Sequence, residues 1–301
     1  MDEPAIRHCP VLIKQLRQKL EVGPDYLVVD ATIGSAGHAT AIAEQLGTKG
    51  CLIGLDVDEN CLETARKRLE KQKCQIHLVK ENFSELDKVL SKLGLGQVNI
   101  ILADLGVNST QLTNAEQGIS FQVDGPLDMR LDNRLPTSAG DLINGLPEEK
   151  LADLIWRWGE EKHSRRIARA IVNARREKPF ERTLELVTVI NTSLGITGKG
   201  RKSKIHPATR TFQALRIAVN HEIDNLERLL KIGPDRLKKD GQIAIISFHS
   251  LEDRLVKWNF RENKQQGRYE ILTKKPIIAD QQEKQDNPRS RSAKLRMAKR
   301  L

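Results

Sequence analysis

Residues 26–46 read YLVVDATIGSAGHATAIAEQL, and the fold follows from them. A short apolar run over 26–32 contains Asp30. A small-residue turn follows at Gly34, Ser35, Ala36 and Gly37, and residues 39–46 then carry helical periodicity. Apolar run, tight turn and helix make a β-α unit. The unit recurs downstream. CLIGLDVD (51–58) precedes a helix from Glu59 to about Lys71, QIHLVKENF (75–83) precedes a helix over 84–93, and NIILADLG (99–106) is a fourth strand. The strands are continuously apolar, as strands buried on both faces are. The pattern predicts an α/β, Rossmann-like, doubly wound parallel sheet with its ligand at the carboxyl ends of the strands.

The ligand can be narrowed from the turn. Gly34 and Gly37 do not have the G-x-G-x-x-G spacing of a dinucleotide site, which disfavours a pyrophosphate and an NAD-linked oxidoreductase. Asp56 stands 22 residues after Gly34, at the end of the second strand, where an acid accepts from both ribose hydroxyls. Asp30 and Asp104 end the first and fourth strands. Three acids on one rim suit a cationic nucleoside, a description that S-adenosylmethionine meets with its ribose, amine and sulfonium.

The pattern changes after Gln111. Residues 118–132, GISFQVDGPLDMRLD, are turn-rich; 141–158, 160–176 and 183–194 read as amphipathic helices; 195–204 read as a flexible basic loop. A long helix over 208–230, a strand over 241–248, a helix over 249–260 and a sixth strand over 269–277 resume the sheet. The Arg/Ser-rich tail, 287–300, reads as mobile or RNA-touching. The expected division is a discontinuous sheet domain, 1–110 with 208–301, and an inserted, mainly helical domain, 111–207.

The charge is uneven. The formal net charge is +10, yet residues 162–182, 199–216 and 284–301 each carry +6. Three such windows point to a phosphate-rich partner. Aromatic residues are only 4%, so no base-stacking platform is evident. No apolar run reaches membrane-span length, and the acidic start lacks a secretory layout, so a cytoplasmic protein without a membrane partner is expected. Cys9, Cys51, Cys61 and Cys74 lack C-x-x-C spacing and read as small buried hydrophobes of a reducing compartment. No metal-ligand constellation is visible.

Nine blocks in order along the chain resemble the RsmH (MraW) family: HCPVL (8–12), DATIGSAGHA (30–39), GLDVDENCL (54–62), ADLGVNSTQL (103–112), the 118–132 block, WGEEKHSRRIARAIV (158–172), HPATRTFQALRIAVNHE (206–222), ISFHSLEDRLVK (246–257) and NPRSRSAKLR (287–296). The resemblance implies a class I methyltransferase sheet whose helical insertion recognises substrate. It implies S-adenosylmethionine-dependent methylation of the exocyclic N4 amine of one cytidine in the decoding region of 16S ribosomal RNA, with the 30S subunit as context; a homodimer is the assembly to test. It also implies a cofactor met by Ala36, Gly37 and His38 in the first loop, Asp56 at the ribose, Phe83 near the adenine, and Asp104 and Gln111 near the methionine end. Two departures stand out: Ala36 and Asn108, where the family usually has Gly and Ser. The extra methyl of Ala36 is expected to alter cofactor affinity modestly.

Many amino-methyltransferases place Asp/Asn-Pro-Pro-aromatic after the fourth strand; here the segment is Asp104-Leu105-Gly106-Val107. Asp104 is therefore an acceptor for the amine or a cofactor ligand. His249 stands either as a base contact and proton acceptor or as a local cap of the helix it precedes. Asp124 and Asp128 either order the insertion near the site or form turns. Two other functions share these features: a non-catalytic RNA-binding ribosome assembly factor, and a DNA amino-methyltransferase.

Overall fold

The four apolar runs become β1 (Leu27–Asp30), β2 (Cys51–Asp56), β3 (Gln75–Lys80) and β4 (Val98–Asp104). β5 (Leu237–Ser247), β6 (Tyr269–Ile271), β7 (Ile277–Ile278) and β8 (Lys294–Arg300) complete one sheet in the order β3-β2-β1-β4-β5-β8-β6, with β7 also on β8. The first five strands pair in parallel; β8 runs antiparallel to β5, β6 and β7. The computed structural model describes residues 10–107, 111, 115–196 and 206–301. His8, Cys9, Asn108 and the basic stretch 199–204 lie outside them.

Two compact units result, Met1–Gly106 with Ile223–Leu301, and Val107–Glu222. In the first, alternate strand residues feed opposite layers, because side chains along a strand alternate between faces. Val28, Leu52, Ile100, Leu102 and Ala244 pack with Leu16, Ile42 and Leu62 of α1 (Ile13–Lys19), α2 (Gly37–Ala43) and α3 (Glu59–Leu69). Val29, Ile53, Ile101, Ile243 and Ile245 face the other way, onto Leu86, Leu90, Leu226 and Phe260. Burying one such side chain fully contributes roughly 1.5–3 kcal/mol, so both faces stabilise the sheet. Asp58 caps α3 by accepting from the Asn60 amide at 3.0 Å. The second layer includes α4 (Leu86–Lys92).

The second unit holds α5 (Ala139–Gly145), α6 (Glu148–Gly159), α7 (Ser164–Glu177), α8 (Thr183–Ser193) and α9 (Thr209–Asn220) around Ile155, Ile167, Ile171, Leu186, Phe212 and Leu215. Pro147 separates α5 from α6, so 141–158 is two helices rather than one.

Two further readings are corrected. Residues 208–230 are two helices, because His221 turns left-handed at φ 51° and ends α9. Its successor α10 (Glu222–Arg236) runs on into β5. Hence α9 belongs to the second unit, and the chain rejoins the sheet unit at Ile223 rather than at 208. The tail is not mobile: after α11 (Ser250–Gln265) and α12 (Gln281–Asp286), residues 294–300 form β8 inside the sheet, with Leu295, Met297 and Ala298 fully buried.

Candidate active site

Strand order reverses between β1 and β4, and the crevice of a doubly wound sheet opens there, beyond the carboxyl ends. Asp30 is level with Gly54 of β2 and Leu102 of β4. Asp56 and Asp104 therefore stand two residues beyond it, on either side of the β1 end. Thr32 ties the rim together: its Oγ1 accepts from the Asp104 amide at 2.7 Å, and its own amide donates to Asp30 Oδ1 at 3.3 Å. Asp56 is held by two backbone amides, Gly34 N to Oδ2 at 2.9 Å and Asp58 N to Oδ1 at 3.0 Å.

The turn into α2 is set by sterics as much as by any ligand. Ala36 is left-handed (φ 60°, ψ 31°) and fully buried in the core, so its methyl packs inward. A side chain on Gly37 would sit 2.4 Å from Pro10 Cγ, so glycine is needed there for packing. His38 follows on α2 and is 5% exposed. Its Nε2 lies 3.4 Å from Asp104 Oδ2, a charge contact without hydrogen-bond geometry. Both His38 ring nitrogens and Asp104 Oδ1 are buried without a hydrogen-bond partner among the described residues.

The electrostatics follow from burial. Burial pushes Asp30 up to about 7, against the opposing pull of His38 and the Thr32 amide. Burial likewise pushes Asp56 up to about 6, although the Asp58 and Gly34 amides oppose it. Burial disfavours charge on His38, but the Asp104 carboxylate, with Asp30 and Glu283, outweighs it and raises the imidazole pKa. Arg289, on the 3-10 turn Pro288–Arg291, is lowered by burial while Asp104 opposes the shift. Glu283 of α12 accepts from Leu12 N at 2.6 Å and Gln15 Nε2 at 3.2 Å.

Other residues fall as follows. Phe83 opens the 3-10 turn Phe83–Glu85 beyond β3 and is half-buried. Gln111 is buried and belongs to the second unit. His249 is the N-cap of α11: its Nδ1 accepts from Glu252 N at 3.4 Å, and the Glu252 carboxylate accepts from the Phe248 and His249 amides at 2.7 and 3.2 Å. In the second unit Asp124 binds Arg182 Nε at 2.6 Å and accepts from Leu184 N at the start of α8. Asp128 holds Arg130 through Nε and Nη2 at 2.8 and 2.7 Å. Both carboxylates thus build local turns. Thr32, Glu283 and Arg289 were not singled out from sequence; the two charged ones reach the rim from more than 170 residues away, and no spacing signals that.

This rim suits a cationic nucleoside. Asp56 offers carboxylate lone pairs to ribose hydroxyls, the orphaned atoms of His38 and Asp104 need polar partners, and three crowded carboxyls are eased by positive charge. A parallel sheet of this order, closed by one antiparallel strand and bearing an acid after β2, defines a class I, Rossmann-like methyltransferase. A sequence model of the MraW methylase family matches residues 5–301, and the chain belongs to that family. Ribosomal RNA small subunit methyltransferase H of Syntrophobacter fumaroxidans is 45% identical, over 97% of this chain and 96% of its own. The proteins of that name from Acidobacterium capsulatum and Geobacter sulfurreducens are each 46% identical, covering 97% and 98% of this chain and 98% and 99% of their own. Among solved structures, TrmN from Thermus thermophilus matches with a TM-score of 0.47 at 12% identity, over 99% of this chain and 51% of that one. Cys51, Cys61 and Cys74 are buried and form no disulfide among the described residues. No helix among the described residues is long and apolar enough to cross a membrane.

Proposed function

We propose that the chain is an S-adenosylmethionine-dependent methyltransferase acting on the exocyclic N4 amine of one cytidine in the decoding region of 16S ribosomal RNA, in the 30S subunit and in the cytoplasm. The observation that carries the reading is the rim on which buried Asp30 and His38 meet half-buried Asp56 and Asp104, at the strand-order reversal of a chain whose relatives carry the name above. S-adenosylmethionine, when bound, supplies the electrophilic methyl group. Asp56 holds the ribose, Phe83 covers the adenine, the Ala36–Gly37–His38 turn meets the cofactor backbone-first, and Asp104 orients the methionine end.

In-line transfer makes positioning the main catalytic device. The cytidine amine is a weak nucleophile because its lone pair is delocalised into the ring, and it must lose a proton as the new N–C bond forms. Asp104 and His249 are the two candidate acceptors: Asp104 Oδ1 and His249 Nε2 are each buried without a hydrogen-bond partner among the described residues, while His249 Nδ1 is taken up by the Glu252 amide.

The test is mass spectrometry of small-subunit ribosomal RNA from cells with and without the gene. Loss of one N4-methylcytidine, restored by the intact gene and not by Asp56→Ala, is expected. An unchanged modification profile would sink the reading in favour of a non-catalytic assembly factor. Tritium transfer to naked RNA, to 30S subunits and to DNA identifies the acceptor, and light scattering tests the homodimer.

A further inference from the structure

Helix α11 starts at the carboxyl edge of the sheet, four residues after Ile246, which is paired with Asp104. Along it Arg254, Lys257, Trp258 and Arg261 recur at i, i+3, i+4 and i+7, which makes one stripe. Trp258 is 57% exposed. Lys257 Nζ lies 5.6 Å and Arg261 Cζ 5.4 Å from its ring centroid, both within cation–π range. Two acids of this helix are engaged elsewhere, Glu252 in the cap and Asp253 with Lys294 and Arg296, while Glu262, exposed and hydrogen-bonded by Gln266, leaves one negative charge against three positive ones along the stripe. What remains is an exposed indole flanked by positive charge. An indole face with cations beside it complements an unpaired base and its phosphates. Trp258 lies eight residues beyond Ser250, about 12 Å from the edge at the helical rise, within the span of a few nucleotides.

We infer that this face of α11 is a contact surface for single-stranded RNA: Trp258 stacks on a base flanking the target, and Lys257 with Arg261 meets the adjoining phosphates. The inference rests on the RNA-methyltransferase reading for its target strand. It differs from the sequence expectation, which found no stacking platform and no basic window here.

The experiment uses the full chain and a fluorescein-labelled, unstructured 12-nucleotide RNA, read by anisotropy over a salt series. Trp258→Ala should weaken binding about 5- to 100-fold, and Trp258→Phe less. Arg261→Gln should lower the slope of log affinity against log salt by about 0.7, the value for one single-strand phosphate. The same RNA annealed into a duplex should be insensitive to Trp258. Trp258→Ala binding the single strand as tightly as wild type overturns the proposal. So does a loss confined to intact 30S subunits, which would make the face a protein dock. Tritium transfer by the wild-type protein separates the two readings. If no methyl reaches 30S subunits while Trp258→Ala still loses the oligonucleotide, the enzymatic reading fails and this surface stands.

Discussion

Asp56, proposed to hold the ribose, has its carboxyl raised by burial to about 6, against the pull of amide hydrogen bonds. Below that pH it is neutral and a weaker acceptor, since hydrogen bonds to an ionised group are roughly twice as strong. Protonated His38 opposes a cationic ligand in the same pH direction. Cofactor affinity should therefore fall on acidification, about fourfold between pH 7.5 and 5.5 from Asp56 alone. The sign for stability is opposite. A carboxyl raised in the folded state binds more protons there, so the unliganded protein loses stability as pH rises from about 4 to 7. Calorimetric titration at both pH values checks the first point; equal affinities, or a pH effect that survives Asp56→Asn, would refute it. Ala36 poses a different question, because a left-handed alanine costs about 1–2 kcal/mol. Ala36→Gly relieves that strain, but it forfeits about 0.8 kcal/mol of methyl burial and adds roughly 0.4–1 kcal/mol of unfolded-chain entropy. The terms nearly cancel, which explains why alanine is tolerated at this left-handed position. Thermal unfolding should place Ala36→Gly within about 0.5 kcal/mol of wild type, with Ala36→Val destabilised by roughly 1–3 kcal/mol.

Strand β8 shows what an element can hide in a sequence. KLRMAKR has no β-branched residue and carries four cations, so local propensity points away from a strand. Its context decides otherwise. β5 offers an open parallel edge, Leu295 and Met297 enter one apolar layer, and Asp253 of α11 binds Arg296 at 2.6 Å and Lys294 at 3.1 Å. Arg296 is buried, so Asp253→Ala leaves its charge unpaired and should cost about 3–5 kcal/mol, read as a shifted urea midpoint at constant slope. Replacing both partners, Asp253→Leu with Arg296→Met, should recover much of that loss; no recovery would show that the pair does more than neutralise itself. The contrast with the first four strands explains what was legible. β1 to β4 announce themselves as apolar runs punctuated by turns, and their terminal acids fall on one rim because parallel strands end together. Thr32 was hidden within a plain turn, and Glu283 and Arg289 were hidden because only tertiary folding brings them to His38 and Asp104. His249 was left open between capping and chemistry because its position before a helix served both.

At the scale of the whole molecule the +10 charge is not one surface. Of the basic window at the C-terminus, Lys294 and Arg296 pair with Asp253, Lys299 pairs with Asp240, and Arg300 donates to the carbonyls of Pro234 and Arg268. Those charges hold the sheet together. The window on α7 divides differently. Ile167, Ala168 and Ile171 face the core of the second unit, Arg175 donates to the Ile143 and Leu146 carbonyls, and Arg169 pairs with Glu148. Lys162, Arg165, Arg166 and Arg176 are exposed and carry no ion pair among the described residues. An RNA-binding role expected of all three windows thus narrows, within the described residues, chiefly to the outer face of α7. Removing a cation that meets one phosphate lowers the slope of log affinity against log salt by about 0.7–0.9. The double reversal Arg165→Glu with Arg166→Glu should therefore weaken binding to 30S subunits steeply at low salt and flatten the slope by about 1.4–1.8 if each arginine meets one phosphate. Lys299→Glu should leave that slope unchanged, because its charge is matched internally. Filter binding across a salt series reads both. A slope that moves with Lys299 and not with Arg165 and Arg166 would place the RNA on the opposite set of charges and reject the α7 assignment.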